Sequence, residues 1–138
     1  MTTKIIKLFL RFSIAASFLS AVADRFGFWP ADMSVWGNWD SFLEYTQHIN
    51  PWMTTEMVAP AGVIATAAEV VFALCLIIGF KTELVARLSG YLLLIFALSM
   101  TFSTGIKGAF DYSVFTAAAA AFALSRIKEK HWELDKHI

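Results

Sequence analysis

Four apolar runs separated by short polar stretches lay out this chain, over residues 8–26, 59–80, 88–106 and 109–127. Each is long enough to cross the hydrocarbon core of a bilayer as a helix. The second is the most informative. From Pro60 to Gly79 it reads PAGVIATAAEVVFALCLIIG, twenty residues that span about 30 Å at helical rise. Its only charge is Glu69, halfway along. A carboxylate at that depth costs roughly 2.5 kcal/mol or more to insert, so Glu69 is a functional candidate from position alone.

The stretch between the first two runs, residues 27–57, has a different pattern. It holds four of the five tryptophans, Trp29, Trp36, Trp39 and Trp52. From Trp36 to Ile49 the apolar positions Trp36, Trp39, Phe42, Leu43 and Ile49 recur at helical spacing, with Asn38, Asp40, Glu44, Gln47 and His48 between them. This predicts an amphipathic helix lying in the interface and stopped by Asn50-Pro51. Trp36, Trp39 and Trp52 form an outer aromatic rim, read first as an anchoring belt at headgroup depth and second as a lid over a cavity.

Composition agrees with the pattern. The 138 residues are 58% hydrophobic and 16% charged, with a mean hydropathy of +0.62, well away from the charge content of soluble domains. Basic and acidic residues balance at eleven each, which gives no reason to expect nucleic acid. The lone Cys75 excludes a disulfide framework, and His48, His131 and His137 lie outside the apolar runs, so no metal site is expected. Ala21-Val22-Ala23 has the form of a signal cleavage site, but Arg11 interrupts the run before it. The first run therefore reads as a membrane span, with Arg11 snorkelling toward Lys4 and Lys7.

Charge distribution sets the expected topology. With the N-terminus inside, nine basic residues are cytoplasmic and only Arg25 and Lys107 lie outside. The expectation is an all-α, four-helix integral membrane bundle, a single domain over 1–138, with both termini cytoplasmic. The amphipathic helix lies in the outer loop, and the tail 128–138 is a frayed or surface helix.

Glu69 lies nine residues below Pro60, about 13 Å deep. Ser13 and Ser17 of the first span reach a similar depth, and Ser99 of the third lies slightly higher. These three serines with Glu69 form the candidate ligand-binding set, with no catalytic residue assigned. Two alternatives stand beside it. Small residues also serve close helix packing, and a buried acid can be a protonated group bonded across the bundle. At the outer edge, Asp24, Arg25, Asp111 and Tyr112 form a second polar cluster, read as an ion pair of Arg25 with Asp24 or Asp111, or as a headgroup site.

The segments FLRFSIAASFLSAVADRFG (9–27), AEVVFALCLIIGFKTELVARLSGYLLL (68–94) and TGIKGAFDYSVFTAAAAAFAL (104–124) together resemble the DoxX family of small bacterial inner-membrane proteins. The second-helix acid with a later glycine, here Glu69 and Gly79, and the aspartate opening the fourth helix, here Asp111, carry the likeness. The resemblance implies a four-helix inner-membrane protein acting as a membrane subunit or accessory of a redox system. Quinone would be the bound molecule, and a redox enzyme subunit or a second copy the partner besides the lipid bilayer. The rival expectations are a non-enzymatic scaffold and a small proton-coupled transporter. The apolar stretch Val70 to Ile78 leaves the transporter no polar path inward.

Overall fold

The computed structural model describes residues 1–138 and is wholly helical, with three helices long and apolar enough to cross a membrane. These are α1 (Thr3–Arg25), α3 (Thr55–Ile78) and α4 (Thr82–Ser103); α2 (Trp39–Ile49) lies between the first two. Two short helices follow, α5 (Ile106–Asp111) and α6 (Val114–Leu124), and the chain ends in a 3-10 turn at Leu134–Lys136.

The boundaries follow local chemistry. Thr2 caps α1 by accepting from the Ile5 N–H. Thr54 occupies the N-cap position of α3 without a side-chain capping bond, and Pro60 falls in the second turn. The α3 helix ends at Gly79, in the left-handed conformation that glycine adopts without steric cost. Two predicted spans need correction. The third starts at Thr82, six residues early, because a carboxylate from the tail caps it and Val85 and Ala86 pack into the core. The fourth is no continuous helix: Ser113 takes a left-handed conformation (φ 55°) and divides it into α5 and α6. At eleven residues α6 is about 16 Å long, too short to cross a bilayer alone.

The main core gathers Ile14, Ala15 and Phe18 of α1, Ala73 and Leu76 of α3, Val85 and Ala86 of α4, and Ala121 and Leu124 of α6. It occupies the half of the bundle that holds both chain termini. The tail is not the frayed or surface helix expected from its composition. It straps that end shut. Lys7 and Glu133, both almost fully buried, pair at 2.7 Å, and the Lys7 ammonium also donates to the Glu129 carbonyl at 2.6 Å. Arg11 does not snorkel outward. Fully buried, it donates to the carbonyls of Leu76, Ile77 and His131, at 2.8, 2.8 and 2.9 Å. Two of these are carbonyls that the end of α3 leaves without helical partners. The Asp135 carboxylate accepts from the N–H groups of Lys81 and Thr82, capping α4.

Gly79 is where the strap and the bundle touch most closely. A Cβ there would meet Cα of Glu133 at 2.5 Å. Gly79→Ala should therefore lower the melting temperature in detergent, losing about 1–2 kcal/mol from the left-handed backbone alone, and should expose residues 126–138 to protease. Unchanged melting and cleavage would contradict the strap.

Asp135 gives a pH signature. Burial pushes its carboxyl up, but the N–H groups of Thr82 and Lys81 outweigh this and hold it below the ordinary value. Its stabilisation is thus complete above the unfolded value near pH 4 and is lost as pH falls through the lowered one. Acid titration followed by protease sensitivity of the tail should show that loss, and Asp135→Asn should remove the dependence.

Candidate functional site

At the other end of the bundle α2 and the loop before it fold over the long helices. Asn38 caps α2 by accepting from Ser41 N–H at 2.8 Å. Phe42 and Leu43 pack on α3 at Gly62, where a Cβ would stand 2.7 Å from Leu43 and 3.2 Å from Phe42. The seat exists only because that residue has no side chain. Asn50, at the end of α2, accepts from the Ser99 hydroxyl at 2.9 Å and ties the element to α4. The loop is fixed from α1: the Asp24 carboxylate accepts from the N–H groups of Val35, Trp36 and Gly37, at 2.7, 3.0 and 2.8 Å.

Beneath this cover lies a cavity of about 370 Å³, within the size range of small-molecule sites. Fourteen of its twenty lining residues are hydrophobic, so its wall favours an apolar body. Trp36, Phe42, Tyr45 and Ile49 roof it, whereas Leu93, Phe96 and Met100 of α4 form one side. Trp36 and Phe42 meet edge to face, with ring centroids 5.3 Å apart.

Glu69 is on the wall of this cavity, 2% exposed, and points into the bundle. Its partner is neither Ser13 nor Ser17 but Arg25. The two side chains meet through Nη1–Oε2 at 2.7 Å and Nη2–Oε1 at 3.0 Å, and Nη1 also donates to the Thr66 hydroxyl at 2.8 Å. The guanidinium lies over the Phe42 ring at 3.9 Å and the Trp36 ring at 5.3 Å. Arg25 thus takes the place that the serines were expected to fill. The expected pairing of Arg25 with Asp24 or Asp111 is likewise replaced.

The predicted residues therefore divide. Glu69, Arg25, Trp36, Ser17 and Tyr112 line the same cavity. Ser13 is exposed and does not line it; its carbonyl accepts from the Ser17 hydroxyl. Ser99 braces α2 from outside the cavity. Asp24 holds the loop, and Asp111 makes an exposed pair with Lys107 at 2.7 Å. Trp39 stacks on Phe26, with centroids 5.6 Å apart, and Trp52 is exposed. The aromatic stretch divides: Trp36 turns in and lines the cavity, whereas Trp52, with Trp29 and Phe28, stays exposed.

Sequence reasoning missed Arg25 as the counter-ion, with Thr66, Tyr45, Thr46 and Asn50. A usable signal was present. Thr66 and Glu69 are three apart, hence on one helical face, and Arg25 is the one basic residue near the C-terminal end of the first span. Burial, then the neighbouring Tyr112, raise the Tyr45 phenol above its ordinary value.

Breaking the pair from either side leaves a buried charge alone. Glu69→Ala or Arg25→Ala should each cost about 3–5 kcal/mol, whereas the joint change to Leu and Met should recover most of it. Melting curves of the two single variants and the double variant measure this coupling. Additive losses would mean that the pair is not the organising contact.

No family model, curated protein or solved structure matches the chain, so the chemistry open to this site rests on its own atoms.

Proposed function

We propose that this protein is a multi-pass inner-membrane subunit or accessory of a redox system that holds a small lipophilic molecule, of which quinone is the leading class, in the cavity beside Glu69. The observation that carries the reading is an apolar cavity of about 370 Å³ with a buried ion pair on its wall. Packing alone gives no reason for charge at that depth, and a polar wall in an apolar chamber suits a molecule with a polar head and a hydrocarbon body.

The membrane orientation follows from charge. Lys7, Arg11, Lys81, Lys128 and Lys130 gather at the strapped end, whereas Arg25 and Lys107 lie toward the other. The positive-inside bias puts the strap and both termini in the cytoplasm and the aromatic cover outside. The pair α5 and α6 carries the chain back to the cytoplasmic side, making the fourth member of a four-helix bundle like that of the DoxX family. Below Glu69, Ala73, Leu76 and Leu124 are fully buried and close the core. That favours a binding chamber over a transport path. The exposed Phe28, Trp29, Met33 and Trp52 form the surface for lipid headgroups or for a partner subunit of the redox system.

A decyl-substituted benzoquinone should stabilise the purified protein by about 2.7 kcal/mol at one hundred times Kd, read as a rise in melting temperature that grows with the logarithm of ligand concentration. Ala65→Phe, which fills the cavity, should abolish the shift. An unshifted melt, together with no isoprenoid quinone in lipid extracts of the gently purified protein, would overturn the reading.

A further inference from the structure

The cavity does not close on every side. Of its twenty lining residues only Ser17, Val35 and Tyr112 are exposed, Val35 at 65% and Tyr112 at 69%. A residue that lines a chamber and also meets the exterior marks the mouth of that chamber. The three belong to the side where α1 and α6 run together. Ser17 and Asp24 are seven apart, two turns along one face of α1, and Asp24 accepts the Val35 N–H at 2.7 Å. Tyr112 ends α5 two residues before α6 begins.

The two helices meet below the cavity, where Ile14, Ala15 and Phe18 share one core cluster with Ala121 and Leu124. Toward the cavity they continue with Ser17 and Ala21 on α1 and Ala117 and Val114 on α6, all on its wall. No hydrogen bond or ion pair joins α1 to α6. Other sides are tied. Arg25 and Glu69 join α1 to α3, Ser99 and Asn50 join α4 to α2, and Met100 of α4 packs on Ala109 of α5.

Ser17 is eight residues from Arg25, about 12 Å in from the end of α1. In a helix that crosses a bilayer, that depth is hydrocarbon. The rim makes no polar demand there, because the Ser17 hydroxyl already donates to the Ser13 carbonyl at 2.9 Å. A hydrocarbon chain passes such a rim without stripping water from a polar group. We infer, building on the cavity reading above, that the seam between α1 and α6 is a lateral mouth to the bilayer. The ligand is then a long-tailed lipid, its head in the chamber and its tail lying out through the seam.

The probe is a benzoquinone whose decyl tail ends in a diazirine, added to the full-length protein in lipid nanodiscs. Illumination and peptide mass spectrometry then locate the tail end. Adducts are expected on α1 between Ser13 and Ala21 and on α6 between Val114 and Ala120. Excess decyl-benzoquinone without the diazirine should abolish them, as should Ala65→Phe, which fills the chamber.

Displaceable adducts on Leu93, Phe96 or Met100 instead would mean a tail held wholly inside. Displaceable adducts on residues 36–50 would mean a route through the aromatic cover. Either result overturns the lateral mouth and leaves the cavity reading standing. Adducts that excess ligand does not displace, or no adducts, overturn both. Should Ala65→Phe not fold, displacement by the unlabelled ligand decides alone.

Discussion

The contact between Arg25 and Glu69 is the constraint on which the cavity half of this protein depends. Two charges withdrawn from water are costly, and their attraction repays the cost only when geometry is close and the remaining valences are met. Here two nitrogens face two oxygens at 2.7 and 3.0 Å, Thr66 takes one further N–H, and the guanidinium plane is covered by Phe42. The close pairing and its aromatic cover fix α1 against α3 and give α2 a surface to lie on. The cover over the cavity exists because the pair needs covering.

The opposite end uses the same physics for a different purpose. Lys7 and Arg11 are long cations on an apolar helix, and in isolation each would reach for water. The tail brings Glu133 and a set of carbonyls to them instead, and its Asp135 supplies the cap that α4 otherwise lacks. Burying the two cations this way links the first and last segments of the chain. The cavity end is held by one ion pair and an aromatic lid, the strapped end by a network of backbone acceptors. Between them the core is small-residue packing, with Ala73, Ala86, Ala97 and Ala121 fully buried.

Much of this was legible in the sequence, for reasons that also explain what was not. Apolar runs and their lengths report helices directly, so α1, α3 and α4 were visible, and the spacing from Trp36 to Ile49 gave α2. Glu69 stood out because a charge in an apolar run has few explanations. The break at Ser113 was missed although Asp111, Tyr112 and Ser113 interrupt the apolar run there, because the aspartate was read as opening the fourth helix. The partner of Glu69 was misread because depth was counted along helices as though side chains had no length. Arg25 is near the helix end, and its reach carries its charge down to the acid. The tail misled for a related reason: a polar segment reads as solvated unless buried cations elsewhere are matched to it, and Arg11 was assigned to water rather than to a partner. Ser13 and Ser99 show the limit of matching depths, since each bonds locally or braces a neighbour without reaching the cavity.

The central claim is that the chamber beside Glu69 holds a small lipophilic molecule. Native mass spectrometry of the protein ejected from its own membrane vesicles addresses it most directly. The account predicts the protein mass plus one tightly held aromatic molecule distinct from phospholipid, lost when Ala65→Phe fills the chamber. The bare chain, or phospholipid adducts that Ala65→Phe leaves unchanged, would contradict it.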